Sequence, residues 1–351
     1  MIKMKAPLFA AMVAVTTAGA SFADLSIDRE CDADEGRAPE NSQAAVEAAV
    51  GCSWNDGRAE EEPSRGIRVR FLGSGASGWK PEWAKKMPHM RRQSSVLLEN
   101  RVLIDYTWSA ADMLPKGCRP EAIFVTHSHG DHYDPQATVR LGVKRMYVHE
   151  SWATAARREM AAAAKKLGLP APEVMAVRFG EPVLEGGLAF TSVPSNHATA
   201  RVTDGVLERT SMYLVEKGVS RLLYATDTGG IPGDAAWMIG IDSHITEKTY
   251  RRSFSDSPFV HRPQAITAFI MEATSGDLDD DFRLFVHSSV QTVERITNVL
   301  KKTKRFLPPA GQPVYLTHIG IKYRSWPSER IDAELPEGIK AASDGLEVVL
   351  G

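Results

Sequence analysis

Cysteine is scarce here, with three residues in 351, at positions 31, 52 and 118, which excludes a scaffold built on disulfides. No apolar run is long enough to cross a bilayer; the N-terminal stretch 6–15 falls short of the roughly 20 residues a spanning helix needs. A lipid-attachment pattern is missing too, since Cys31 is preceded by Asp28-Arg29-Glu30. Neither sign of charge is in excess: 42 Lys and Arg face 44 Asp and Glu, a net of -2. Such a chain, without a long basic insertion, has no electrostatic reason to grip nucleic acid. Internal repeats and low-complexity tracts are also absent. What remains is ordinary globular composition, 43% apolar and 25% charged, long enough for one large α/β domain or two small ones.

The chain opens like a secretory signal. Lys3 and Lys5 precede the apolar stretch and Ser21-Phe22-Ala23 fits a small-x-small cleavage site. Residues 1–23 are therefore expected to be removed, and the protein to be periplasmic or secreted. Residues 24–65 read as an acidic extension, closed by Glu60-Glu61-Glu62-Pro63, with one short helix expected at 42–50. Cys31 and Cys52 lie close together in this segment and could pair after export, whereas Cys118 is expected to be a small buried residue.

From 66 to 351 the pattern becomes one domain dense in short strands. They are expected at 67–73, 95–100, 102–106, 122–127, 145–150, 188–194, 211–217, 220–226, 266–272 and 314–318, with Glu99-Asn100-Arg101 as a turn. Helices are expected at 152–166, stopping at Gly168, and at 289–303. In the second, Val290, Val293, Ile296, Val299 and Leu300 share a face, and Ser288 with Gln291 has capping-box spacing. Residues 73–78, Gly-Ser-Gly-Ala-Ser-Gly, carry the glycine spacing of a dinucleotide loop. Pro81 and Pro88 follow, however, with no apolar helical stripe, so the loop is expected to permit close backbone approach and to bind no nucleotide cofactor.

The informative run is Thr126-His127-Ser128-His129-Gly130-Asp131-His132, at the end of the apolar strand that begins at Ala122. Imidazole nitrogens and carboxylate oxygens suit zinc and similar divalent ions. Four such groups on one turn crowd a single tetrahedral ion but can serve two neighbouring ones. A lone histidine is usually structural; several packed together call for a metal. Other candidates stand at other strand ends: His197 after Ser195-Asn196, Asp227 in Thr226-Asp227-Thr228-Gly229, and His318 closing Leu316-Thr317-His318. Singly, each is more simply structural. Their shared placement beside Gly, Asn or Thr raises all three together.

With these pieces in hand, residues 67–351 resemble the metallo-β-lactamase superfamily. The resemblance implies an α/β fold, an αββα sandwich with a dinuclear metal cleft at one edge. It implies that His127, His129 and His197 hold one divalent ion, that Asp131, His132 and His318 hold a second, and that Asp227 bridges them. Zinc is expected, with manganese as the other choice. The segment Phe269-Ile270-Met271-Glu272-Ala273-Thr274 and the later Val286-His287-Ser288-Ser289 resemble the tRNase Z branch. There a histidine oriented by a glutamate protonates the leaving alcohol of a phosphodiester. Leu316-Thr317-His318-Ile319, Trp326, and the runs 335–338, 343–346 and 223–232 are similar to the PhnP-type cyclic phosphodiesterases. The chain departs from those in its export signal, its acidic extension and the lack of an added cysteine cluster near 79–90.

The expected function is an exported metal-dependent hydrolase of small or cyclic phosphodiesters. Water would be activated between two ions, Asp131 would orient it, and His287, held by Glu272, would serve as general acid. The plain reading of His287 is a helix-N-terminal histidine; such a position disfavours an imidazolium, so a neighbouring carboxylate would help it keep its proton. The competing activity is a lactonase or β-lactamase on the same fold, favoured by export and disfavoured by a bridging Asp227 and the Glu272–His287 pair. A non-enzymatic metal-binding module is the other alternative. The expected partner is a small-molecule phosphodiester, with no nucleic acid and no stable membrane anchor; a homodimer is allowed.

Overall fold

The apolar runs beyond residue 66 alternate side chains to opposite faces, and in the computed structural model they build two sheets of seven strands. Residues 66–242, 264–278, 282–320 and 322–351 are described, all within a single compact unit spanning Gln43–Gly351. The signal, the helix expected at 42–50, Cys31 and Cys52 lie outside the described residues.

The first sheet holds β1 (Ile67–Gly73), β2 (Ser95–Leu98), β3 (Val102–Ile104), β4 (Ala122–Phe124), β5 (Arg145–His149) and β6 (Glu173–Val177), with β16 (Glu347–Leu350) along its edge beside β1. The second sheet runs β15 (Ile339–Ala341), β14 (Val314–Thr317), β13 (Ala268–Glu272), β12 (Ser220–Ala225), β11 (Ser211–Lys217), β8 (Leu188–Pro194) and β7 (Pro182–Glu185). Strands β9 (Val202–Thr203) and β10 (Val206–Leu207) form a small separate hairpin. Each large sheet is antiparallel over one half and parallel over the other.

Strand β4 shows how the layers arise. Ala122 and Phe124 point at the other sheet, where Phe124 stacks on Phe190 of β8 with ring centroids 4.0 Å apart. Ile123 points the other way, toward Trp152 and Met160 on helix α3 (Glu150–Leu167). On the far side, Val290, Val293 and Leu300 of helix α5 (Val290–Lys302) cover Phe269, Met271 and Leu316. Helices on both outer faces of two packed sheets make the αββα sandwich. The shorter helices are α1 (Pro81–Ala84), α2 (Pro135–Leu141), α4 (Gly233–Met238) and α6 (Ser328–Asp332).

Several sequence expectations need correction. The strand expected at 122–127 stops at Phe124, because the chain there turns to deliver the histidine run. The cap of α5 is Ser289, whose Oγ accepts from the Thr292 N–H at 3.1 Å; Ser288 Oγ instead donates to the Thr228 carbonyl at 2.7 Å, so no Ser288–Gln291 capping box forms. Cys118 is half-buried, its thiol 3.4 Å from the Asn100 carbonyl. A single helical turn, α1, does follow the glycine loop, but it buries none of its residues. The turn at 99–101 is present, with Glu99 and Asn100 both left-handed at φ 50° and 57°, the hairpin conformation that matches strand twist.

Candidate metal centre

Strands β12, β13 and β14 run parallel, so their C-terminal ends reach one edge of the sandwich together. Strand β8 lies antiparallel to β11, which lies antiparallel to β12, so β8 ends at that edge as well. The side chains at or just beyond these ends are His197, Asp227, Glu272 and His318. The first sheet supplies the rest through the turn after β4, which ends where Asp134 caps α2 by accepting from the Gln136 and Ala137 N–H groups at 3.0 Å. Asp227 and His318 both take left-handed backbone, with φ 48° and 47°. Such a conformation is uncommon for residues with a Cβ and is held only when surroundings enforce it.

All seven residues expected as ligands converge. His127 Nε2 is 3.0 Å from His129 Nδ1, which is 3.1 Å from His197 Nε2. Next to this trio, His132 Nε2 stands 3.2 Å from His318 Nε2, 3.0 Å from Asp227 Oδ2 and 3.5 Å from Asp131 Oδ2. Asp227 faces both groups, with Oδ1 3.8 Å from His197 Nε2 and Oδ2 3.4 Å from His318 Nε2. The donor atoms of His127, His129 and His197, of His127, His132 and Asp227, and of Asp131, His132 and His318 each lie within 4.8 Å of one another.

The chemistry of this donor set fits divalent cations. Metal ligands must be neutral imidazoles or ionised carboxylates. Burial, and then His132, holds His127 well below the ordinary imidazole range, and burial pushes His197 down to about 4. Burial opposes ionisation of Asp131, yet His132 and His318 outweigh it and hold the carboxyl well below its usual range. Asp227 is likewise held low by His318 and His132 against its burial. His132 goes the other way: despite burial, Asp227, Asp131 and Asp105 raise it well above the usual value. Without an ion, the carboxylates draw positive charge onto an imidazole at the centre of the cluster. Imidazole nitrogens facing one another at about hydrogen-bond distance cannot all be satisfied by one another; a cation between them would satisfy every lone pair.

Beside this cluster, Glu272 holds His287. Nδ1 of His287 is 3.0 and 3.1 Å from the two carboxylate oxygens, and Glu272 Oε1 also accepts from the Thr228 N–H. Glu272 is fully buried. Burial works against a charge on His287, but Glu272 outweighs it and raises its pKa. His287 Nδ1 also comes within 3.8 Å of Asp227 Oδ1, which ties the pair to the ligand cluster.

Supporting residues emerge only in three dimensions. Asp105, at φ 55°, binds His132 Nδ1 at 2.7 Å while accepting from Thr126 N–H and Oγ1, each at 2.8 Å. Thr274 Oγ1 sits 2.6 Å from His318 Nδ1. Such outer partners fix ring orientation and tautomer. The signal for Asp105 is a carboxylate between Ile104 and Tyr106 in the apolar run 102–106, which otherwise reads as plain strand. Glu208 pins the turn itself by accepting from the Ser128 N–H at 2.7 Å.

Residues 100–297 match the family model described as the β-lactamase superfamily domain. No curated protein matches the sequence. Among solved structures, the chain is similar to zinc-bound PqqB from Methylobacterium extorquens, at TM-score 0.53 and 18% identity, over 80% of this chain and 99% of that one. It is also similar to the metallo-β-lactamase fold protein YhfI from Bacillus subtilis, at TM-score 0.52 and 14% identity, over 82% of this chain and 100% of that one. The short form of human tRNase Z matches at TM-score 0.50 and 16% identity, over 81% of this chain and 99% of that one. At such identities the likeness is one of fold.

Proposed function

From a chain that belongs to the metallo-β-lactamase superfamily, with a carboxylate-held imidazole beside its ligand cluster, we propose a metal-dependent hydrolase that cuts small or cyclic phosphodiesters. The observation that carries this reading is the Glu272–His287 pair at 3.0 Å. A cyclic ester or amide has less need of a dedicated proton donor than an alkoxide leaving a phosphodiester does. The superfamily alone does not choose between these substrates.

His127, His129 and His197 would hold one divalent ion, Asp131, His132 and His318 the other, with Asp227 shared; zinc is favoured by the imidazole-rich set. When bound, such ions acidify water and offset charge on phosphoryl oxygens. The chain's own residues divide the remaining work. Asp131, at the mouth of the second group, orients the attacking water. His287 gives Nδ1 to Glu272 and so keeps Nε2 for the substrate, where it donates a proton to the departing oxygen. Glu272 fixes the ring and sustains its charge in a site where burial would otherwise remove it.

The test is a substrate panel. Purified protein loaded with zinc or manganese is offered bis-aryl phosphodiesters, cyclic nucleotides, a lactone and a cephalosporin. Phosphodiester turnover above the rest is expected. Turnover confined to the lactone or the cephalosporin would transfer the assignment to the competing activity.

A further inference from the structure

Arg324 stands apart from several other buried and half-buried arginines of this fold. Arg92 pairs with Asp112 at 2.6 Å, Arg145 with Glu185 at 2.6 Å, Arg201 with Glu159 at 2.8 Å and Arg221 with Glu216 at 2.7 Å. Arg91 spreads its guanidinium over the Trp326 carbonyl at 2.6 Å and the Ser328 hydroxyl at 2.7 Å. Among the described residues, the Arg324 guanidinium has neither a carboxylate nor a hydrogen-bond acceptor, and its Nε is shut off from solvent. Burial alone moves its pKa, downward, with no counter-charge to restore it. A half-buried cation left this way is costly, and a guanidinium offers five donors in a fork suited to oxyanions.

That fork lies on the segment that follows His318 and packs against the glycine-rich loop after β1. The chain leaves ligand His318, turns back through a Tyr323 N–H to Gly320 carbonyl bond at 3.1 Å, and reaches Arg324. There the guanidinium lies against Gly78, where an added Cβ would meet Nη1 at 3.2 Å and Nη2 at 3.6 Å. Gly78 is exposed and has φ +89°, so the position favours glycine and sets no side chain against the guanidinium. The loop that carries Gly78 is bound to the ligand-bearing strand end: the Ile319 N–H donates to the Ser74 carbonyl at 2.9 Å, and the Ala76 N–H donates to the Ile319 carbonyl at 3.1 Å. Trp79, next in the chain, adds an indole Nε1 that is buried with no acceptor. The unmet groups at this corner are donors, which is the complement of an anion.

We propose that Arg324 is a specificity-determining residue that binds an anionic oxygen of the substrate beside His318, so that the site selects negatively charged esters over neutral ones. This deepens the phosphodiesterase reading and rests on it for the identity of the ester. It adds a reason why a diester monoanion is preferred to its neutral triester: the triester offers the guanidinium a phosphoryl oxygen but no counter-charge.

The test uses the metal-loaded protein, with Arg324→Gln and Arg324→Lys compared with wild type at equal metal content. The KM for an anionic aryl phosphodiester is expected to rise about tenfold to a hundredfold in Arg324→Gln, the loss of one charge-assisted contact, with kcat little changed and Arg324→Lys intermediate. Hydrolysis of the neutral triester with the same leaving group should keep its KM. Calorimetric titration with inorganic phosphate should weaken in parallel. An unchanged diester KM together with unchanged phosphate binding overturns the proposal while leaving the hydrolase reading intact. Should the wild type hydrolyse no diester, that reading fails on its own, and the phosphate titration alone decides the role of Arg324.

Discussion

His287 presents one ring nitrogen to Glu272; in the proposed function the other faces the substrate, so its removal should be felt through the leaving group. His287→Ala should lose roughly 10²-fold or more on diesters with poor alkyl leaving groups, and much less on nitrophenyl diesters, whose departing phenolate needs little protonation. Glu272→Gln should repeat that pattern more mildly. Metal content should stay level in both, and its loss in His287→Ala would recast His287 as a ligand, a role its 3.8 Å approach to Asp227 permits. Asp227 behaves differently, because both groups of donors share it. Asp227→Ala should lower the occupancy of both sites, and elemental analysis finding one ion held equally by wild type and variant would contradict the bridging assignment. The cluster of candidate donors was legible in the sequence because crowded histidines at strand ends have few structural uses. Asp105 and Thr274 were not: each acts on a residue brought close only by folding, and each looks ordinary among its chain neighbours.

Helix α3 illustrates what can be read of an element and what cannot. Its alanine-rich body and its stop at Gly168, left-handed at φ 64°, were visible in the sequence. Its start was not, since the cap is His149, whose Nδ1 accepts from the Ser151 N–H at 3.2 Å. Imidazole is an unusual cap and only its neutral form can accept. Burial pushes His149 down to about 4, below the value expected in the unfolded chain. A group lowered on folding stabilises fully above its unfolded pKa near 6.5, and loses that contribution as pH falls toward 4. Between pH 7 and pH 4 the wild type should therefore lose on the order of 2 kcal/mol more than His149→Asn, which caps without titrating. Parallel denaturant curves at both pH values would refute this. The strands not legible in the sequence have causes of their own. In β6 and β7 exposed and half-buried residues blur the alternation, and β15 and β16 are only three and four residues long at sheet edges.

On the scale of the whole molecule, the sandwich was readable because the strand runs and two strong helices leave few other ways to bury so much apolar surface. Its mixed sheet order was not, because pairing between β1 and β16 joins residues as far apart as Ile67 and Leu350. The division of ligands between the layers has a kinetic consequence. Each group of donors takes members from both sheets, and the two strands that deliver the first group, β4 and β8, touch through the Phe124–Phe190 stack at 4.0 Å. If an ion seated there were to leave only when the layers part, its residence time would be a clock for the breathing of the sandwich. Phe190→Ala, roughly 3–5 kcal/mol less stable, should speed ion loss to a chelator although no ligand has changed. Chelation rates equal to wild type would mean that ions escape through the turn after β4 alone. If the rates rise together with global unfolding, durability of the metal complex can be tuned from inside the core, far from any residue that a sequence search for ligands would find.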